Sequence, residues 1–333
     1  MRKSLMKKVF AISMTAVLTC GLFAGCGNSN TNTTGTDTNT GDGSTYKIGV
    51  FQYQQHSALD QANEGFIQAL NDSGISYTAD QQNASGDPST TQTIAQKLVT
   101  DQDDLIFAIA TPAAQATAAL TKEIPIVVTA VTDPADAGLV ESNEAPGGNV
   151  TGTSDLNPVE KQIELLKQLV PDAKKVGVLY CSAEANSKLQ AKLVKEVCEE
   201  NGLEAKDFTV SNSNEIQTVV ESMVGKVDVI YAPTDNVISN AMATVSMVAT
   251  ENNLPIIAGE ENQVTAGALA TYSVDYKALG YKAGEMAVQI LKGEKKAGDI
   301  PIGYLEDEEY KLSINDETAK KLGIDTSAIE SRQ

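Results

Sequence analysis

The chain reads as an α/β protein of two similar lobes, each built on a parallel sheet. Three observations predict this. Short apolar runs alternate with helical patterns along the body of the sequence. The run Lys47-Ile48-Gly49-Val50-Phe51 is echoed 128 residues later by Lys175-Val176-Gly177-Val178-Leu179, and the helical patterns behind them stop at Gly74 and Gly202, again 128 apart. Two later runs recur as well: Ile106 to Pro112 in Val229 to Asp235, and Ile124 to Val128 in Leu254 to Ala258. Apolar strands separated by helices give parallel sheets covered on both faces. The period is far too long for a solenoid, so a lobe is duplicated. Two facing lobes leave a cleft between them, a preferred place for a small-molecule site.

Taken in order, the chain starts with a positive n-region of Arg2, Lys3, Lys7 and Lys8, then an uncharged apolar stretch from Val9 to Ala24. That stretch is short for a membrane span and right for a signal peptide, residues 1–25. Leu22-Phe23-Ala24-Gly25-Cys26 resembles a bacterial lipobox, with Phe23 where an aliphatic residue is usual. Cleavage there leaves Cys26 as the lipidated first residue. Residues 26–45 are then a tether: Asn28 to Thr45 is Asn, Thr, Gly, Ser and Asp almost throughout. With nothing apolar to bury, it cannot offset the entropy of ordering. As a coil of about 18 residues it spans roughly 20–25 Å.

The folded body follows. Strand 47–51 leads to a helix over 59–73, whose Leu59, Phe66, Ile67 and Leu70 share one face. Strand 105–110 leads to helix 113–121, and strand 125–131 closes the first run. Asn157-Pro158-Val159-Glu160 has the form of a helix start, with Asn157 as cap, Pro158 at the first position and Glu160 completing a capping box. Strands are expected again at 175–180, 227–232 and 255–258. Cys181 ends a strand and Cys198 lies in the next helix. About twelve helical residues carry Cys198 roughly 18 Å back, beyond the roughly 7 Å that a disulfide allows. Two free thiols are expected.

Open parallel sheets bind ligands at the carboxyl ends of their strands. The segments there are Gln52 to His56, Thr111-Pro112-Ala113, Thr132-Asp133-Pro134, Ser182 to Ser187, Thr234-Asp235-Asn236 and Gly259-Glu260-Glu261. Several also open helices, whose N–H groups suit an anion. Thr, Asp and Asn at such junctions also serve simply as N-caps. Their gathering on one edge of each lobe points to a site.

Residues 46–305 resemble the family of ABC-transporter substrate-binding lipoproteins that includes the tryptophan and tyrosine binders. The resemblance rests on Ala58-Leu59-Asp60 with Gly65-Phe66; Ala110 to Gln115; Ala130 to Pro134; Pro146 to Gly152; Glu184-Ala185-Asn186-Ser187; and Pro233-Thr234-Asp235-Asn236. It implies a type I periplasmic-binding-protein fold: two Rossmann-like lobes joined by three crossing strands and closing on a hinge. Lobe one would comprise 46–154 and 275–295, and lobe two 155–274 and 296–333, with crossings near Thr153–Leu156, Ser273–Tyr276 and 295–305. It further implies an aromatic amino acid, tryptophan or tyrosine, as ligand, an ABC permease as partner, and a monomer anchored by lipid at the extracytoplasmic face of the membrane.

A zwitterion needs donors for its carboxylate and an acid for its ammonium. Thr111 and Thr132, with the N–H groups of Ala113 and Ala114, are the candidate donors, and Asp133 lies beside them. Asp235 is the candidate ammonium acceptor or, alternatively, the cap of helix 236–251; Glu260 is the second acid. Thr234 adjoins Asp235. Asn186 and Ser187 contact ligand from lobe two or merely cap their helix. Tyr53 and His56 could stack on a ring or donate a hydrogen bond.

Composition excludes other classes. Asp and Glu number 44 against 25 Lys and Arg, a net charge of −19, which argues against nucleic acid and anionic headgroups as partners. One histidine and no paired-cysteine motif leave no zinc site, and no cofactor motif is present. Gly147-Gly148-Asn149-Val150-Thr151-Gly152 lacks the Lys-Ser/Thr of a P-loop. No nucleophile with its base is visible, so an enzyme is not expected. Two readings remain: a binding lipoprotein feeding an importer, or a ligand-sensing or adhesive surface lipoprotein using the same cleft. A different small solute (a branched-chain amino acid, a nucleoside or a sugar) is the other alternative.

Overall fold

The computed structural model describes residues 45–306 and 310–330. The expected signal peptide, the tether and Cys26 lie outside the described residues, as does most of the acidic run at 306–309. Among the described residues no helix is long and apolar enough to cross a membrane.

The first sheet is laid down by β1 (Tyr46–Gln52), β2 (Tyr77–Asn83), β3 (Leu105–Ile109), β4 (Ile126–Thr129) and β5 (Val150–Gly152), with α1 (Ser57–Asp72), α2 (Pro88–Thr100) and α3 (Thr111–Ala118) between them. All its strands are parallel, in the order β2-β1-β3-β4-β5. β1 is an inner strand, Val50 pairing with Gln81 on one side and Phe107 on the other. Strand β2 is polar (Tyr-Thr-Ala-Asp-Gln-Gln-Asn) because it is an edge with little surface to bury.

The second sheet repeats this order. After α4 (Val159–Leu169) come β6 (Lys175–Cys181), α5 (Ala185–Glu200), β7 (Glu204–Val210), α6 (Ile216–Met223), β8 (Val229–Ala232), α7 (Asn236–Asn240), α8 (Met242–Glu251), β9 (Ile256–Ala258), α9 (Glu261–Thr265) and β10 (Ala270–Ser273). Their order is β7-β6-β8-β9-β10 from one edge, extended by an antiparallel β11 (Lys311–Ile314). The duplicated sequence therefore folds as a duplicated topology. Helices α11 (Asp316–Leu322) and α12 (Ser327–Glu330) end the described chain.

Helix α10 (Tyr276–Leu291) leaves the second sheet and packs in the first core, against α1. Phe66 and Phe107 stack there with ring centroids 3.7 Å apart. The second sheet has its own apolar clusters on its two faces. The segments between the lobes are laced together. Ser154 donates its N–H to Gly303 O (2.9 Å), and Gly303 donates to Gly152 O (2.8 Å).

Asn157 does not cap α4. Its Nδ2 donates to Asp155 O (2.9 Å) and its Oδ1 accepts from the Val274 N–H (2.9 Å), so it pins two crossing segments; Pro158 stands at the cap position without a side-chain bond. The expected helix 236–251 is two helices, broken at Ala241. Cys181 and Cys198 are free and buried.

Candidate functional site

The carboxyl ends of both sheets face one cleft. A cavity there is lined by His56, Leu59 and Ala130 of lobe one, by Thr234, Asp235, Asn236, Ser239 and Glu260 of lobe two, and by Asp155 and Tyr276 at the crossings. Its volume is ≈ 10 Å³. That is room for about one water, so a solute enters only when the lobes part. Two residues carry positive φ at this edge: Ala110 (φ 81°) after β3 and Ala130 (φ 53°) after β4. Such backbone strain in a non-glycine residue costs roughly 1–3 kcal/mol and clusters at ligand sites.

Most candidate residues gather here, but their hydrogen bonds separate them. Asp235 is fully buried and already spent: Oδ2 accepts from the Cys181 N–H (2.6 Å) and the Ser187 hydroxyl (2.7 Å), Oδ1 from the Ile238 N–H (2.8 Å). It caps α7 and ties it to β6 and α5. Ser187 is thereby a brace. Glu260 caps α9, accepting from the Asn262 and Gln263 N–H groups at 2.6 and 3.0 Å. Asp133 organises the turn after β4, taking bonds from Ala135, Asp136 and Asn143. Thr132 Oγ1 accepts from Gln190 Nε2 (3.1 Å). Ala114 donates its N–H to Ala110 O (3.1 Å) inside α3 and is not a free donor; Ala113, one residue earlier, lies in the first turn, where helical N–H groups lack intrahelical partners. Tyr53 reaches Gly86 O (3.2 Å) and lines a neighbouring cavity with Glu184.

Among the described residues, four buried polar atoms around the cleft have no hydrogen-bond partner: His56 Nδ1, Thr111 Oγ1, Asp155 Oδ1 and Asn186 Oδ1. Burying such atoms unpaired costs on the order of 1–3 kcal/mol each. His56 Nε2 meets Asn236 Oδ1 at 3.3 Å; as Asn236 Nδ2 is held by Glu184 Oε2 (2.6 Å), its oxygen faces the ring and makes Nε2 the donor. Burial holds His56 below its ordinary pKa, which leaves Nδ1 a bare acceptor. The Asn186 amide is oriented in the same way, its Nδ2 facing Glu184 Oε2 and Thr234 O.

Asp155, which lies outside the strand-end segments, has the free carboxylate oxygen in the cavity. Its other oxygen accepts from the Tyr276 hydroxyl (2.7 Å). Burial raises its pKa to about 6, against the pull of the Tyr276 hydroxyl. Glu184 is a second group that the zwitterion argument does not single out. It gathers the Asn186 and Asn236 side-chain amides and the Asn236 and Val237 N–H groups. Burial, then the Asp235 charge, lifts it to about 8, and burial raises Asp235 too. Burial lifts Glu260 to about 7. The one signal for Asp155 in the sequence is its place in the expected crossing; nothing there marks its side chain as facing inward.

Two sheets of like topology, hinged by crossing segments over a polar cleft, define a type I periplasmic-binding-protein fold. The chain belongs to the ABC transporter substrate binding protein family, which it matches over residues 47–329. It is 46% identical over 323 residues to a tyrosine-binding protein of Clostridioides difficile, covering 96% of this chain and 93% of the relative. It resembles an ABC domain from Streptococcus pneumonia in complex with L-Trp (TM-score 0.83, 39% identity, 86% of this chain and 98% of that one). It also resembles the ligand-free, open structure of a substrate binding protein with adhesive properties from Clostridium difficile (TM-score 0.66, 45% identity, 86% and 97%). The backbone is nearer the L-Trp complex although the sequence is nearer the open protein.

Proposed function

We propose that this protein captures an aromatic amino acid, tyrosine or tryptophan, in the interlobe cleft and delivers it to an ABC permease. The observation that carries this is the set of unpartnered buried atoms in a closed cleft. Asp155 Oδ1 and His56 Nδ1 are acceptors, suited to an ammonium. Thr111 Oγ1, at the start of α3, is suited to a carboxylate with the free N–H groups of that helix end. Asp155 thus replaces Asp235 as the ammonium partner, because the oxygens of Asp235 are taken. The relatives named for tyrosine and solved with L-Trp support the ligand class.

The protein is a binding component and not an enzyme. It works as a monomer at the extracytoplasmic face, held through lipid on Cys26. The adhesive properties attributed to the open relative favour a second role in surface contact. Calorimetric titration of the mature domain with tyrosine and with tryptophan tests the ligand assignment; affinity for neither would overturn it.

A further inference from the structure

We propose that Gln190 is a clasp that holds the closed cleft shut and sets how long the ligand stays. Gln190 sits on α5 of lobe two and is 1% exposed. Its Oε1 accepts from the Thr234 N–H (3.1 Å), which orients the amide so that Nε2 points the other way. Nε2 then donates to two hydroxyls, Thr234 Oγ1 of its own lobe (2.6 Å) and Thr132 Oγ1 of lobe one (3.1 Å). The second bond spans the cleft and exists only while the lobes are together. Other direct contacts across the cleft, His56–Asn236 and Gln61–Asn262, are only part-buried; the Gln190–Thr132 bond is buried, and opening must break it before water reaches it.

Thr132 is also tied to the crossing segment. Its carbonyl accepts from Ser154 Oγ (2.7 Å) in the crossing segment, one residue before Asp155. Gln190 is a positioning residue, acting through Thr132. The clasp does not rest on the proposed ammonium site.

The test is a double-mutant cycle on ligand release. Gln190→Met keeps volume and removes the donor; Thr132→Val removes the acceptor; Thr132→Ser restores it. Stopped-flow release of tyrosine or tryptophan should speed up about threefold to tenfold in Gln190→Met, the range of one net hydrogen bond, with association nearly unchanged. In the Thr132→Val background the same substitution should add nothing, and Thr132→Ser should behave as wild type. Independent, additive effects would overturn the clasp. Gln190→Met also bares the Thr234 N–H within lobe two, which lowers thermal stability but cannot by itself produce coupling to Thr132. A second measurement needs no ligand: interlobe distances from a label on each lobe, attached to new exposed cysteines while Cys181 and Cys198 stay buried. Gln190→Met should shrink the closed population, and an unchanged distribution would overturn the proposal. Should wild type bind neither amino acid, the ligand assignment fails and the distance measurement still decides the clasp.

Discussion

Whether a buried carboxylate can receive a ligand depends on what its oxygens already hold. Asp235 takes three hydrogens from Cys181, Ser187 and Ile238, whereas Asp155 takes the Tyr276 hydroxyl on one oxygen and leaves the other bare. Asp155→Asn should therefore lower amino-acid affinity by about 2–5 kcal/mol, roughly 30-fold to several thousand-fold, with little loss of fold stability; calorimetry and thermal melts measure the two. Asp235→Asn should do the reverse in emphasis, costing about 1–3 kcal/mol of stability because an amide N–H₂ would meet donors. The pH dependence follows from Asp155, Glu260 and Glu184, which are raised to about 6, 7 and 8, chiefly by burial. Raised acids bind protons more tightly folded than unfolded, so the ligand-free protein should gain stability as pH falls from about 8 toward 5. Asp80, Asp87 and Glu317 are shifted down instead; their contribution is lost only below the ordinary carboxylate range. Ligand affinity should move the other way, falling as Asp155 protonates near pH 6. Melting midpoints with and without tyrosine across this range check both signs: the midpoint rises on acidification while the ligand-induced shift shrinks.

Helices α1 and α10 cross so closely that only glycine fits at the crossing. A Cβ at Gly280 would lie 1.9 Å from Ala62 O, and one at Gly65 2.0 Å from Lys277 O. Both obstacles are backbone, which cannot step aside. Gly280→Ala should cost about 1–3 kcal/mol through overpacking, seen as a lower melting midpoint. The same contact is what returns the chain to lobe one after its second crossing, so the substitution should also disturb the hinge. Sequence periodicity locates α1, because its apolar stripe is regular. It locates neither β2 nor β7, whose edge positions leave much of their surface exposed and therefore polar. The Asn157-Pro158-Val159-Glu160 start fails as a capping box for a tertiary reason: the asparagine bonds across the hinge to Val274 instead of to its own helix.

As a whole molecule, the proposed function makes the protein a trap that opens to fill. The cavity has room for about one water between closed lobes, so ligand exchange requires hinge motion about the crossings near Thr153, Val274 and Gly303. X-ray scattering should give a smaller radius of gyration with saturating tyrosine or tryptophan than without; equal radii would count against a closing trap. Anchoring is a property of the full chain. Cys26→Ser should release the protein from the membrane fraction, as the lipid is its proposed attachment, and retention after signal cleavage would refute the lipobox reading.

Much of this is legible in the residues themselves. The duplicated runs at Lys47 and Lys175 determined two α/β lobes of like topology, because strand and helix periods are local properties that burial on both sheet faces imposes on a chain. The set of segments near the cleft is legible too, since strand ends in parallel sheets face one edge. Which side chains in that set remain free is not. Thr132, Ser187, Asp235 and Glu260 look like ligand contacts in sequence, yet they are held by Gln190, Asp235 itself, three donors and a helix end, respectively. Asp155, Glu184 and Gln190 carry no signal of comparable strength. A hydrogen bond between residues 44 to 58 positions apart, such as Gln190 to Thr234 or Thr132, is satisfied or left open only once the lobes have packed, and that packing decided where the binding groups lie.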